Sequence, residues 1–338
     1  MNFAKILLAA GLLVGGPGLV SPSAASARSS PAVAPASSQA LDWTKQAPAD
    51  SPNARSGASM AYDPATGTVV LFSGVNGHLL DGTWTWDGTA WAKQAPVVSP
   101  PGRSDGSMVY DAATGTVVLF GGAGRHGFLG DTWTGNGTTW TQRHPATSPP
   151  ARLRASMAYD AATGTVVLFG GDNSVHGELG DTWTWNGTTW TQQHPAVHPP
   201  ARFDGSMTYD PATATVVLFG GDGVDAHLLG DTWTWNGTTW TQQHPAVHPA
   251  TRFDAMMTYD AATSTAVLFG GQGSHGLLGD TWTWNGTAWT KPPPAVHPPA
   301  RFDAMMTYDA ATGTAVLFGG ADSPHGHVQY LGDTWTWG

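Results

Sequence analysis

Six times along the chain an apolar run of the form Thr-Val-Val-Leu-Phe or Thr-Ala-Val-Leu-Phe is followed by two small residues, as in Thr165–Gly171 and Thr265–Gly271. Each run lies between two stretches that alternate in polarity. Upstream is Met-x-Tyr-Asp, which ends in a turn such as Asp-Ala-Ala-Thr-Gly-Thr; downstream is Asp-Thr-Trp-Thr-Trp, followed by Asn-Gly and Thr-Thr-Trp-Thr-Gln-Gln-His-Pro. Four short runs rich in Val, Thr, Phe and Trp, separated by turn residues and lacking a helical period, predict a four-stranded antiparallel sheet. An arginine opens every unit, at Arg55, Arg103, Arg152, Arg202, Arg252 and Arg301.

A Val-Val-Leu-Phe strand is apolar on both faces, so each sheet needs a neighbour on each side. Sheets set radially around an axis provide those neighbours. The sixth unit stops at Gly338 without a fourth strand, whereas Leu41–Pro48 has the fourth-strand pattern and precedes the first unit. The expectation is an all-β fold over residues 41–338: a six-bladed β-propeller of four-stranded blades, its last blade closed by the N-terminal strand. The paired glycines after the apolar run (Gly170-Gly171, Gly220-Gly221, Gly270-Gly271, Gly319-Gly320), followed by paired aromatics, resemble a kelch repeat. Ser73-Gly74 departs from that pattern in the first unit.

The tryptophans fit this scheme. If Asn186-Gly187 forms a two-residue turn, which needs positive φ at both positions, then Trp185 faces Thr188 and Trp183 faces Trp190. The sixth such pair is Trp335 with Trp43. All 17 tryptophans occupy three strand positions, and the second unit has Gly135 at one of them. They read as packing residues, and the Asn-Gly-Thr strings read as turn chemistry rather than glycan acceptors.

Composition narrows the function. Residues 1–27, with Lys5, a short apolar run and Ala25-Ser26-Ala27, read as a secretory signal, and 28–40 as a flexible leader. The expectation is a secreted monomer with no membrane span. No cysteine occurs, which removes disulfides, thiolate metal sites and Cys nucleophiles. Against 14 Lys and Arg stand 24 acids, a net charge of −10 that argues against nucleic acid as a partner.

Candidate chemistry gathers on one face. In a meander the loops after strands two and four share a face, and here they are the long, variable ones. All 13 histidines fall in them. His78, His126, His176, His227, His275, His325 and His327 lie between strands two and three, and the others lie in or beside the Pro-rich links. Imidazole changes charge between pH 5 and 8, so this face gains positive charge on acidification. The strand-opening arginines Arg103, Arg202, Arg252 and Arg301 are each followed two residues later by Asp105, Asp204, Asp254 and Asp303. Residues two apart in a strand share a face, which leaves two readings: Arg–Asp ion pairs between blades, or an arginine-lined channel mouth. Arg154 replaces the acid in the third unit and Gly57 in the first, and Tyr330 lies outside the Tyr-Asp motif. These departures point to an asymmetric pocket.

The leading expectation is a binding module whose His- and Arg-rich loop face takes an extracellular glycan or protein, with no cofactor and no metal site. The alternative is a carbohydrate-active enzyme resembling the exported sialic-acid mutarotases. The copper-radical chemistry of galactose oxidases, another kelch group, requires a cysteine this chain lacks. Glu178 is the only glutamate, so acid–base roles would fall to Asp and His.

Overall fold

The computed structural model describes residues 41–173, 175, 177–323 and 327–338. The described residues form one compact unit. Apart from one 3-10 turn at Val224–Ala226, its regular structure is all β. The fold is that of an all-β propeller, built from a repeated four-stranded antiparallel sheet. In the third sheet the order is Ser156–Asp160, Thr165–Phe169, Thr182–Trp185, Trp190–Gln193. Six such sheets follow one another. The sixth consists of Met305–Asp309, Thr314–Phe318, Thr334–Trp337 and, as its fourth strand, Trp43–Gln46, which pairs antiparallel with Trp43 opposite Trp337. The expected closure by the N-terminal strand is therefore present. Among the described residues no helix is long and apolar enough to cross a membrane.

Six buried clusters hold the sheets together, each shared by two neighbours. The central strand of the first sheet shows why its sequence is continuously apolar. Val69 and Leu71 face the sixth sheet with Trp91 and Phe318, while Val70 and Phe72 face the second with Leu119 and Trp140. All four are fully buried. Trp43 closes the circle, packed on Phe269 of the fifth sheet at 5.1 Å between ring centroids and on Trp337 at 5.5 Å.

Each fourth-strand indole also reaches across to the preceding sheet. Trp91 Nε1 donates to Thr334 Oγ1, Trp190 to Thr132, Trp240 to Thr182, Trp289 to Thr232 and Trp43 to Thr281, each at 2.9 Å; Trp140 donates to Thr83 at 3.3 Å. These six bonds form a closed cycle. A second cycle explains the glycine pairs. The second glycine's N–H donates to the carbonyl of the next unit's arginine, as Gly171 does to Arg202 at 2.9 Å and Gly320 to Arg55 at 2.8 Å. The first glycine lies so close to that carbonyl that a Cβ on Gly170 would come within 2.4 Å of it, and its φ of +67° suits glycine.

The hairpin register differs from the sequence expectation. Trp185 pairs with Trp190, and Trp183 with Gln192. The loop is four residues, Asn186–Thr189, because Asn186 Oδ1 accepts the N–H groups of Thr188 at 3.0 Å and Thr189 at 2.8 Å. An Asx turn has replaced the two-residue turn. In the second sheet Gly135 takes the place of that inner indole, and the hairpin settles inward until Gly137 is buried, where a Cβ would be 3.0 Å from Val70 of the first sheet.

Trp43→Ala should destabilise the domain by about 3–5 kcal/mol, and Thr281→Val, which removes only the hydrogen-bond partner, by about 1 kcal/mol. Urea unfolding measures both; a Trp43→Ala protein as stable as the parent would mean that the N-terminal strand does not close the ring.

Candidate functional site at the axial mouth

The first strands neighbour one another in a closed cycle. Just before each strand one residue sits on the axis with positive φ: Gly57 at +58°, Asp105 at +56°, Arg154 at +58°, Asp204 at +53°, Asp254 at +52° and Asp303 at +55°. Their backbones form a belt. Each N–H donates to the carbonyl of the preceding member, from Asp105 to Gly57 at 2.8 Å round to Gly57 on Asp303 at 3.2 Å. The left-handed turn aims the side chains at one another, and the small neighbours Ala58, Gly106, Ala155, Gly205, Ala255 and Ala304 leave a pocket of about 130 Å³ between them. A Cβ on Gly57 would stand 2.9 Å from Asp105 Oδ1, so a larger residue there would have to displace that carboxylate.

Arg154 is the one cation in this ring. Its Nη1 is 3.3 Å from Asp204 Oδ2 and its Nε 3.8 Å from Asp105 Oδ1, and its guanidinium lies 5.7 Å from the Phe203 ring centroid. Burial works against its charge, but the surrounding carboxylates, led by Asp204, outweigh burial and raise its pKa. Burial pushes Asp204 up to about 7 against the opposing pull of Arg154. Asp254 and Asp303 rise well above the ordinary carboxylate range, first through burial and then through the neighbouring aspartates. Asp204 and Asp254 are both fully buried and close enough for the charge of one to act on the other. Among the described residues Arg154 Nε and Asp204 Oδ2 are buried with no hydrogen-bond partner.

The strand-opening arginines are not at this mouth. Arg103, Arg202, Arg252 and Arg301 are buried, as is Arg152, and each grips the aspartate that precedes its own sheet's third strand rather than the one two residues on. Arg103 binds Asp131 at 2.8 and 3.0 Å, Arg202 binds Asp231 at 2.6 and 2.8 Å, and Arg301 binds Asp333 at 2.6 and 2.9 Å. The same carboxylate accepts an indole N–H, as Asp131 does from Trp133 at 2.6 Å. Burial of Asp131 opposes ionisation, but Arg103 and Trp133 outweigh it and lower the pKa. Both sequence readings of these arginines are thereby corrected: the ion pairs lie within a sheet, and the channel mouth holds Arg154 instead. The positive φ at the aspartate breaks the strand alternation on which the expectation rested.

His126, His275 and His327 are exposed on the loops, His227 is exposed at the start of the strand His227–Trp235, and Tyr330 is half-buried. His176 and His325 lie outside the described residues. Among the described residues no group of three or more His, Asp or Glu is arranged to hold a metal ion. Sequence reasoning passed over a second axial cavity, of about 360 Å³, farther along the inner strands and lined by Met60, Met108, Met157, Met207, Met257 and Met306 together with the Tyr-Asp tyrosines. Its signal was present in the Met-x-Tyr spacing, two residues apart in every unit. No profile of a known protein family matches the chain, and a search of curated proteins found no significant match.

The raised carboxyls set a pH dependence. Asp204, Asp254 and Asp303 hold protons in the folded chain at pH values where the unfolded chain, with aspartates near ~3.9, has lost them. Stability should therefore fall as pH climbs from about 4 through about 7. Asp254→Asn should flatten that fall and exceed the parent in stability at pH 7.5. Melting temperatures at pH 4.5, 6 and 7.5 test it; a parent that melts higher at 7.5 than at 4.5 contradicts it.

Proposed function

We propose that this protein is a secreted, kelch-type binding module that takes an extracellular glycan at its axial mouth, with the histidine-bearing loops around it. One observation carries this reading: Arg154 Nε, a donor, and Asp204 Oδ2, an acceptor, are both buried without a hydrogen bond among the described residues, held only by ion-pair contacts at 3.8 Å and 3.3 Å, and both belong to residues that line the same small pocket. A sugar hydroxyl answers both at once, accepting from the guanidinium and donating to the carboxylate. Burial strengthens such hydrogen bonds, because the groups meet little competition from water. Asp105, Asp254 and Asp303 supply further acceptors and, where protonated, donors.

A second reading has its own support. A carboxyl pushed up to about 7 by burial, beside other buried carboxyls and facing a cation, is suited to general acid–base work near neutral pH. It would serve an enzyme that opens and closes a sugar ring, the class suggested by the resemblance to exported mutarotases.

Calorimetric titration with a panel of extracellular polysaccharides should show a binder, and Arg154→Ala should weaken it about 10- to 100-fold, the loss of one or two charged hydrogen bonds. Equal affinity in both proteins would exclude the axial mouth. Asp204→Asn separates the two readings: retained binding together with lost anomer exchange, followed by NMR, would favour the enzyme.

A further inference from the structure

One of the six units lacks the carboxylate that the other five build into the outer part of the sheet. Where they read Gly-Asp before the third strand, the first reads Asp81-Gly82. The reversal is accommodated by packing. In the other units the glycine lies against an alanine or threonine of the following link, so that a Cβ on Gly130 would come within 3.1 Å of Ala151; opposite Asp81 the link has Gly102 instead. Asp81 is exposed, and among the described residues neither it, Arg55 nor Lys93 forms an ion pair.

Arg55 nonetheless keeps the pose of its counterparts. Its Nε donates to Asn53 O at 2.9 Å and its Nη1 to Ser73 O at 2.7 Å, as Arg103 does to Pro101 O at 3.1 Å and Gly121 O at 2.9 Å. The residue is 3% exposed. Burial without a carboxylate lowers its pKa to about 10. The fifth sheet shows what belongs at this place. There Asp280 accepts from Arg252 at 2.7 and 3.2 Å, from Trp282 Nε1 at 2.8 Å and from Lys291 at 3.2 Å. The first sheet has the same donors in register: Arg55, Trp84 and Lys93, with Lys93 opposite Trp84 in the strand pairing. A Cβ on Gly82 would meet Trp84 Nε1 at 3.4 Å and Lys93 Cε at 3.9 Å. Gly82 and Lys93 line a cavity of about 410 Å³ with Asp81, Gln94, Pro96 and Gly102. In the other sheets this place is open to solvent, since the carboxylates there are 16–20% exposed.

We propose that the first sheet binds a small carboxylate beside Gly82, held by the fork of Arg55 and the indole N–H of Trp84 with Lys93 alongside. The class follows from the geometry: two oxygens in one plane answer a guanidinium fork, and the chain itself places an aspartate on an arginine and an indole N–H five times over, with a lysine added in the fifth sheet. This site lies apart from the axial mouth and does not depend on it.

Acetate is the probe. Melting of the full chain at pH 7 is followed while sodium acetate replaces sodium chloride at constant ionic strength. The parent should melt higher in acetate, because a ligand bound only by the folded state stabilises it. Gly82→Asp supplies the carboxylate covalently; it should melt higher than the parent in chloride and show no acetate-specific shift. Lys93→Gln should weaken acetate at least threefold by the same titration, which keeps the proposal testable if Gly82→Asp does not fold. No acetate-specific shift in the parent, an equal shift in Gly82→Asp, or an unaltered midpoint in Lys93→Gln would each overturn it.

Discussion

Everything in this structure depends on the fact that the central strands are apolar on both faces, so that no sheet is stable without a neighbour on each side. The fourth-strand tryptophan is where that requirement is met. Its ring fills the space between two sheets and its N–H bonds a threonine of the preceding one. Burying one indole of about 150–250 Å² at about 25 cal/mol/Å² contributes on the order of 4–6 kcal/mol. The hydrogen bond adds less, but it fixes which way the ring lies and so how the sheets are set. Because the cycle is closed, an error at one interface has no free edge at which to dissipate.

The polar interior follows a similar economy. Each strand-opening arginine is consumed by its own sheet, tied to an aspartate that also holds an indole. That arrangement removes five cations from the loop face and leaves Arg154 alone among carboxyls on the axis. The asymmetry of the mouth therefore arises from two exchanged residues, Arg154 and Gly57, on an otherwise repetitive belt. The same logic operates in the first sheet, where exchanging the order of two residues changes what a buried guanidinium faces.

The architecture was legible because repetition reports it directly: the spacing of the arginines, the apolar runs and the displaced fourth strand at Leu41–Pro48 are all one-dimensional signals. The hairpin register was not, since Asn-Gly suggests a two-residue turn and only the capping of Thr188 and Thr189 by Asn186 distinguishes the longer loop. The axial site was half legible. Asp105, Asp204, Asp254, Asp303 and Arg154 do come together, yet the strand alternation used to place them fails where φ turns positive. The partner of each arginine lies 28 to 32 residues downstream, in the Asp-Thr-Trp motif, and a repeat alone does not say which of two recurrent aspartates a recurrent arginine will meet.

Among the described strands, the one that closes the ring comes first along the chain and its partner comes last. Trp43 pairs with Trp337, so this contact joins strands almost 300 residues apart and completes the sixth sheet. During synthesis the earlier sheets can stack in order as an arc, each burying one face of the next, while Trp43 waits with nothing to pair with. Such non-local closure is slow, and until it happens the growing arc presents an unpaired strand and an apolar face to any other copy of itself. The concentration of unfinished chains, more than the stability of the finished ring, then decides whether the protein closes on itself or on a neighbour.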